Sequence, residues 1–206
     1  FAFGSCHKNK NVLNDDSKST IWDAIGKTNP DTFLWTGDAV YVKDATLSAL
    51  QSEYQKTLTS SKIGYSKFLT QMAASPNNSS GGTHGTWDDH DFGGNDLGYE
   101  TASKTERLDL YLKFLGFKEE EAEYRKRIKR NGAFSSISFG SGYQKVKVLF
   151  LDTRWHRSKH CIPSVGSKVP YIGAPFSCIT RWITAGLSLQ HNWFVTNNED
   201  NEQQTT

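Results

Sequence analysis

This chain of 206 residues has few cysteines, no long apolar run and no large excess of charge of either sign. Its three cysteines, Cys6, Cys161 and Cys178, are odd in number and form no Cys-x-x-Cys pair, which argues against a disulfide framework and a zinc ribbon. No apolar run approaches the ~18 residues of a membrane-spanning helix. With 24 basic and 22 acidic residues, the net charge is +2. The basic run at 125–130 is interpreted first as the end of a charged helix and only second as a nucleic-acid contact.

Enough apolar residues are present for a folded core, since 36% of the chain is hydrophobic and 13% is aromatic. The pattern predicts a buried strand at 1–5, a short helix at about 17–27 and a second strand at 33–35. A strand, a helix and a strand in succession favour a parallel pair. Because functional groups collect at the carboxyl ends of parallel strands, Cys6 and Asp38 should be neighbours.

The rest of the chain continues the alternation of helices and strands. Further helices are predicted at about 44–73 (interrupted near Gly64), 104–115 and 118–130, and further strands at 83–87, 133–139 and 143–151. The spacing of Ser103 and Glu106 is that of a capping box. Residues 76–82 form a predicted loop, and 196–206 are expected to be disordered. The fold class is α/β, with one domain at 1–157 and a divergent, partly disordered tail at 158–206.

Residues 85–96 carry the densest set of functional groups, with the sequence Gly-Thr-Trp-Asp-Asp-His-Asp-Phe-Gly-Gly-Asn-Asp. Four carboxylates, an imidazole and a carboxamide suit a metal ion. The two adjacent glycines allow a sharp turn that would bring Asn95 back towards the Asp-Asp-His run. The same residue types also form ordinary solvated turns, so this stretch by itself leaves both interpretations open.

Five candidate metal ligands follow predicted strand ends: Cys6, Asp38, Tyr41, Asp89 and Asn95. An aspartate can bridge two cations, a thiolate and a phenolate suit a strongly Lewis-acidic ion, and carboxylate and amide oxygens suit Ca²⁺ or Mg²⁺. Two such ions can polarise a phosphoester and activate water, so phosphoester hydrolysis is the implied reaction. The plainer interpretation makes Cys6 a small buried hydrophobe and Tyr41 a core ring.

His90 and Arg154 are the candidate catalytic residues. An imidazole flanked by carboxylates can act as an acid or hold a phosphate oxygen, or it can orient a neighbouring carboxylate. Arg154 follows the last predicted strand, and its plainer interpretation is that of an ion-pair partner.

Four motifs occur in a fixed order along the chain. They are Gly-Ser-Cys at 4–6, Gly-Asp-x-x-Tyr at 37–41, Trp-Asp-Asp-His-Asp at 87–91 with Asn95, and Leu-Asp-Thr-Arg at 151–154. In this order they resemble the PhoD-like alkaline phosphatases, a branch of the calcineurin-like metallophosphoesterases. The resemblance extends from Phe1 to about Arg157.

The resemblance implies an α+β sandwich of two mixed sheets flanked by helices that hydrolyses phosphomonoesters and phosphodiesters. It implies ferric iron at Cys6, Asp38 and Tyr41, with Asp38 also facing a calcium site. Asn95, and less directly Asp89, match the calcium motif, although other divalent ions are compatible with these ligands. A catalytic role for His90 follows by analogy with the histidine of the wider superfamily. Family members are often secreted or extracytoplasmic, but this chain carries no signal of its compartment.

Beyond Leu-Asp-Thr-Arg the chain departs from the family. The family continues with a Trp-containing helix, further strands and a late Gly-Asp-x-His motif that this sequence does not contain. We therefore expect a chain truncated at both ends, with an incomplete fold and weak or no activity on small phosphoesters. The alternative is a non-catalytic fragment that acts as a binding module, or a gene-model artefact in which the tail is a run-on reading frame. The oligomeric state is left open.

Overall fold

A computed structural model describes residues 1–13, 19–74, 82–158 and 173–186 of the chain, which divides into two compact units, Phe1–Arg157 and Ser158–Thr206. The first unit is mixed α/β. Its helices are α1 (Asn9–Leu13), α2 (Ile21–Lys27), α3 (Leu47–Thr59), α4 (Tyr65–Ala73), α5 (Asp89–Phe92), α6 (Lys104–Phe114) and α7 (Ala122–Arg127). Its strands are β1 (Ala2–Gly4), β2 (Phe33–Thr36), β3 (Thr83–Thr86), β4 (Ser135–Phe139) and β5 (Val146–Phe150).

Strands β1, β2 and β3 form a parallel sheet in that order, which confirms the predicted parallel pairing of the first two strands. In the register of this sheet Gly4 lies beside Trp35, and Trp35 lies beside Gly85. All three strands therefore end at the same level. The polar residues that follow them are delivered to one edge.

One face of the parallel sheet is covered by aromatic residues from the helices. The ring centroid of Trp22 lies 5.1 Å from that of Phe33 and 5.5 Å from that of Trp35. Tyr65 of α4 and Phe114 of α6 complete this layer at 5.8 Å each from Trp35. These five rings are almost fully buried, so the apolar core lies between this face and the helices.

The hairpin of β4 and β5 is antiparallel and pairs only within itself among the described strands. It contributes Leu149 and Leu151 to a groove of about 340 Å³ whose other side is formed by Phe1 and Phe3 of the parallel sheet. Among the described strands, one sheet is purely parallel and the other purely antiparallel, so neither is mixed as the resemblance implied. The physical reason is that a short turn around Gly142–Gln144 joins β4 directly to β5, and such a turn permits only antiparallel pairing.

The predicted helices are present, but several begin or end a few residues inside the predicted bounds. The predicted helix at 44–73 is two helices separated at Gly64, which has a φ of 81°. α2 begins after Thr20, whose hydroxyl accepts from the backbone N–H of Asp23. α6 is confirmed, but its N-cap Ser103 has a φ of 56° and makes no side-chain cap, so the predicted capping box does not form.

The second unit has one described helix, α8 (Gly173–Gly186). The sequence pattern did not predict this helix. Pro175 is compatible with it, because Pro175 lies in the first turn, where a missing backbone N–H costs little. Phe176, Ile179 and Trp182 are exposed on this helix. The predicted disordered tail, most of the predicted loop at 76–82 and Cys161 lie outside the described residues. Within the described ranges, every helix is too short or too polar to span a bilayer.

Candidate metal centre

The loops after β1 and β2 meet at the carboxyl edge of the parallel sheet. The backbone N–H of Cys6 donates to the carbonyl of Gly37 at 3.3 Å, and that of His7 donates to the carbonyl of Asp38 at 2.9 Å. Cys6 and Asp38 both adopt left-handed backbone conformations, with φ values of 59° and 53°. Such values are uncommon outside glycine and collect at functional sites. The predicted proximity of Cys6 and Asp38 is present, with Sγ 3.9 Å from Oδ2.

The carboxylate of Asp38 faces two groups of polar atoms. Its Oδ2 accepts from the Tyr41 hydroxyl at 2.6 Å and lies beside the Cys6 thiol. Its Oδ1 accepts from the backbone N–H of His90 at 3.3 Å. Asp38 is 7% exposed, so this carboxylate is held in a nearly dry setting between the two groups. A carboxylate with both oxygens presented in this way is suited to bridge two cations.

Asp38, Asp89 and His90 form a compact set of possible ligands. One ligand atom from each of these residues lies within 4.8 Å of the other two. Nδ1 of His90 is buried and has no hydrogen-bond partner in the described part of the chain. Two carboxylates and an imidazole fit a divalent cation, because each group can supply a lone pair. Nδ1 of His90 can do so without breaking a hydrogen bond to a described residue.

Tyr41 links the two groups of atoms. The centroid of its ring lies 3.9 Å from that of the His90 ring. The ammonium of Lys8 lies 4.5 Å from the centroid of the Tyr41 ring. Burial, together with the hydrogen bond to Asp38, raises the pKa of the Tyr41 hydroxyl. The phenol is therefore protonated at neutral pH in the protein alone, and it donates to Asp38.

Arg154 reaches the same edge from the segment that follows β5. The side chain of Asp152 accepts from the backbone N–H groups of Arg154 and Trp155 at 2.7 and 2.9 Å, which fixes the turn after the strand. The guanidinium Nε of Arg154 donates to Asp88 at 2.5 Å, and Nη1 lies 4.0 Å from Asp89. Nη1 is buried and has no hydrogen-bond partner among the described residues. It can therefore donate to an anion at the rim of the acidic cluster.

Asp91 holds the two halves of the centre together, and the sequence analysis did not identify it. Its fully buried carboxylate accepts from the backbone N–H groups of Ala39, Val40 and Asp88 at 3.1 to 3.2 Å and from the Tyr54 hydroxyl at 3.3 Å. Burial raises the pKa of Asp91 to about 7. Its spacing of three residues from Asp88 is that of a helix-capping pair, which is the signal that could have found it.

The structure brings six of the seven predicted site residues together and leaves one apart. Contacts within 4.8 Å connect Cys6, Asp38, Tyr41, Asp89, His90 and Arg154. Asn95 is exposed and makes no hydrogen bond with these six in the described part of the chain. The Gly93-Gly94 turn instead returns the backbone N–H of Asp96, which donates to Asp89 at 3.0 Å.

Comparison with known proteins found no matching family model, no matching curated protein and no matching solved structure. The function proposed below consequently rests on the geometry of the centre and on the order of the sequence motifs.

Proposed function

We propose that this chain is a metal-dependent phosphoester hydrolase of the PhoD-like type. The observation that carries the proposal is the Asp38 carboxylate, which is shared between a thiol and phenol group of ligands and a carboxylate and imidazole group. Arg154, with one unpartnered N–H, stands at the rim of the same cluster. This combination places cation ligands beside a donor for an anion, which is what a phosphoester requires.

The residues divide into two ligand sets that share Asp38. Cys6 and Tyr41 complete the set for which the family resemblance implies ferric iron, and Asp89 and His90 complete the second set. Calcium is the family expectation for the second set, but an imidazole favours a transition metal such as Zn²⁺ or Mn²⁺. When bound, the ions would polarise the phosphoester and lower the pKa of water.

The other side chains position the substrate and the ligands. Arg154 binds a phosphate oxygen through Nη1 while Asp88 holds the rest of its guanidinium. The ring of Tyr41, tilted by 35° against that of His90, restricts the His90 ring, whose Nδ1 is available to bind a cation or to exchange a proton with the substrate. Asp91 keeps the loop at 38–40 against α5. A two-sheet sandwich of the metallophosphoesterase type is part of this proposal, as is slow turnover.

The test is to load the purified chain with Fe³⁺ and Ca²⁺, and separately with Mn²⁺ or Zn²⁺, and to measure bound metal and hydrolysis. We expect about one iron and one to two calcium ions per chain and slow hydrolysis of p-nitrophenyl phosphate and its diester. Asp38→Asn should lose both properties. Asp31→Asn, which makes the same change at an exposed residue before β2, is the matched control. A folded chain without stoichiometric metal or turnover would refute the proposal.

A second function, that of a non-catalytic binding module, is favoured by one observation. Phe1, Phe3, Leu149 and Leu151 are 63 to 70% exposed along the groove between the two sheets. Exposed apolar surface of this kind often marks an interaction site. A folded, metal-free chain without turnover would favour this function over hydrolysis.

A further inference from the structure

A second cavity lies between β3, the end of α7 and the β4–β5 hairpin. Its volume is about 990 Å³, at the upper end of the range for small-molecule sites. Lys126, Arg127, Arg130, Phe117, Phe134 and His156 are among the residues that line it. The six clustered residues of the candidate metal centre do not line this cavity, so its ligand is a separate question.

Arg127 is the unusual residue of the cavity wall. It is only 3% exposed, its Nη2 donates to the carbonyl of Ala133 at 3.2 Å, and its guanidinium lies 5.0 Å from the ring centroid of Phe117. Its Nε is buried without a hydrogen-bond partner, and it forms no ion pair with any described carboxylate. A buried guanidinium with an unpartnered donor is costly, and an anion placed against it removes that cost.

The carboxylates that line the same cavity are already engaged. Asp152 accepts from the backbone N–H groups of Ala133, Arg154 and Trp155. Glu123 lies 3.8 Å from Lys126 in an exposed pair on α7. Arg130 donates to the carbonyl of Phe134 and adds a further positive charge. The cavity wall therefore carries three basic side chains, Lys126, Arg127 and Arg130, against the two carboxylates.

The hairpin side of the wall combines apolar side chains with the polar residues Ser135 and Ser136. Phe134, Ile137 and Leu149 line the cavity from the hairpin side, and Phe134 is 44% exposed. The guanidinium carbon of Arg130 lies 5.3 Å from the ring centroid of Phe134, so charged and apolar side chains of the wall are adjacent. A ligand that fits both walls has an anionic head and an apolar body.

We infer that this cavity is a second ligand site, which binds a small organic molecule bearing a phosphate or carboxylate group through Arg127, with Arg130 and Lys126 at its rim. The planar guanidinium suits both kinds of oxyanion. The apolar body of the ligand lies against Phe134 and Leu149. This inference does not depend on hydrolysis at the metal centre.

The test measures binding of three probes by titration calorimetry in the presence of EDTA. Phenylphosphonate has no ester bond to hydrolyse, methylphosphonate lacks its apolar body, and benzoate carries a carboxylate in place of the phosphonate. We expect phenylphosphonate or benzoate to bind, and phenylphosphonate to bind more tightly than methylphosphonate. The tighter of the two aromatic probes distinguishes a phosphate ligand from a carboxylate ligand. Failure of both aromatic probes to bind at millimolar concentration would overturn the inference.

Variants then assign the site. Arg127→Lys keeps a charge but loses Nε, and it should weaken binding by about tenfold or more. The double variant Lys126→Gln and Arg130→Gln should weaken binding as well, and it decides the question if Arg127→Lys does not fold. Lys129→Gln, an exposed neighbour that does not line the cavity, is the matched control. Equal binding by the double variant and the control would overturn the inference.

Asp38→Asn separates this site from the metal centre. Binding that persists in Asp38→Asn while metal binding is lost supports the second site. Binding that disappears in Asp38→Asn would assign the probe to the metal centre and overturn the inference.

Discussion

The helix-covered face of the parallel sheet and its carboxyl edge differ in backbone strain and in the kinds of side chain they bring together. On the covered face, the indole N–H groups of two core rings are paired, since Nε1 of Trp35 donates to the Tyr65 hydroxyl at 3.0 Å and Nε1 of Trp22 donates to His7 at 3.3 Å. At the edge, Cys6 and Asp38 hold left-handed backbones, and buried nitrogens lack partners. The face supplies the stability with which the edge can hold strained and unpaired groups.

Asp91 and Tyr54 connect these two regions. Tyr54 belongs to the packed core at the covered face, where burial raises the pKa of its hydroxyl well above the ordinary value. The hydroxyl donates to Asp91, which in turn accepts from the backbone at the edge. The packed core is thereby connected to the loop that carries Asp38.

The largest effect is expected at the edge, from Asp38→Asn. Loss of the shared carboxylate removes the ligand common to both sets, and turnover should fall on the order of a thousandfold, about 4 kcal/mol in activation free energy. The free energy of unfolding should change by no more than about 1 kcal/mol, because asparagine tolerates the left-handed backbone. Steady-state hydrolysis and urea unfolding check the two parts. A large loss of stability would show that Asp38 serves the fold more than the site.

Trp22→Ala tests the covered face. Trp22 is 2% exposed and contacts four aromatic rings there, so its truncation should lower the free energy of unfolding by about 3 to 5 kcal/mol. Metal content per folded chain should stay unchanged. Urea unfolding followed by far-UV circular dichroism measures the loss. Tyr143→Ala, at a fully exposed aromatic residue, should stay within about 0.5 kcal/mol of the parent chain.

Gly37→Ala tests the junction of the two regions. Gly37 has a φ of 116°, and an added Cβ would lie 2.6 Å from Cβ of Asp88. We expect a loss of about 1 to 3 kcal/mol in the free energy of unfolding together with weaker metal binding, since Asp88 must move. Gly116→Ala is the matched control, because Gly116 has a φ of 93° but open space around its Cβ position. Equal effects of the two changes would mean that backbone strain alone, without the contact to Asp88, explains the loss.

The smallest effect is expected from Asp23→Asn, far from the site chemistry. The hydrogen bond from Lys67, with those from Thr20, lowers the pKa of Asp23 from 3.8 to about 2. Because the pKa is depressed in the folded state, the stabilisation is present above pH 3.8 and is lost as the pH falls through about 2. Asp23→Asn should therefore lower the melting temperature slightly at pH 7, and the difference from the parent chain should shrink below pH 4. A difference that is independent of pH would contradict this role of the charge.

Much of the first unit was predictable because its signals are local. The apolar run at 33–35 located β2, and the strand, helix and strand order predicted its parallel pairing with β1. The pairing of β3 with β2 was not predicted. Where a tertiary contact decided the outcome, the prediction failed. Ser103 has capping-box spacing, yet its left-handed backbone directs the chain into α6 without a side-chain cap. The hairpin was predicted from its turn, but no local signal showed that its two strands would pair only with each other among the described strands.

The candidate site divides in the same way. Residue type together with predicted strand ends and the order of the motifs selected Cys6, Asp38, Asp89 and His90, because thiol, carboxylate and imidazole groups are metal ligands. Only the tertiary structure gave Asp38 its position between two groups of ligands, because parallel strands in register bring residues 32 or more positions apart to one edge. It also left Asn95 in solvent and made Asp91 the support of the centre. Sequence spacing cannot decide such outcomes, since they depend on which backbone N–H groups face a buried carboxylate.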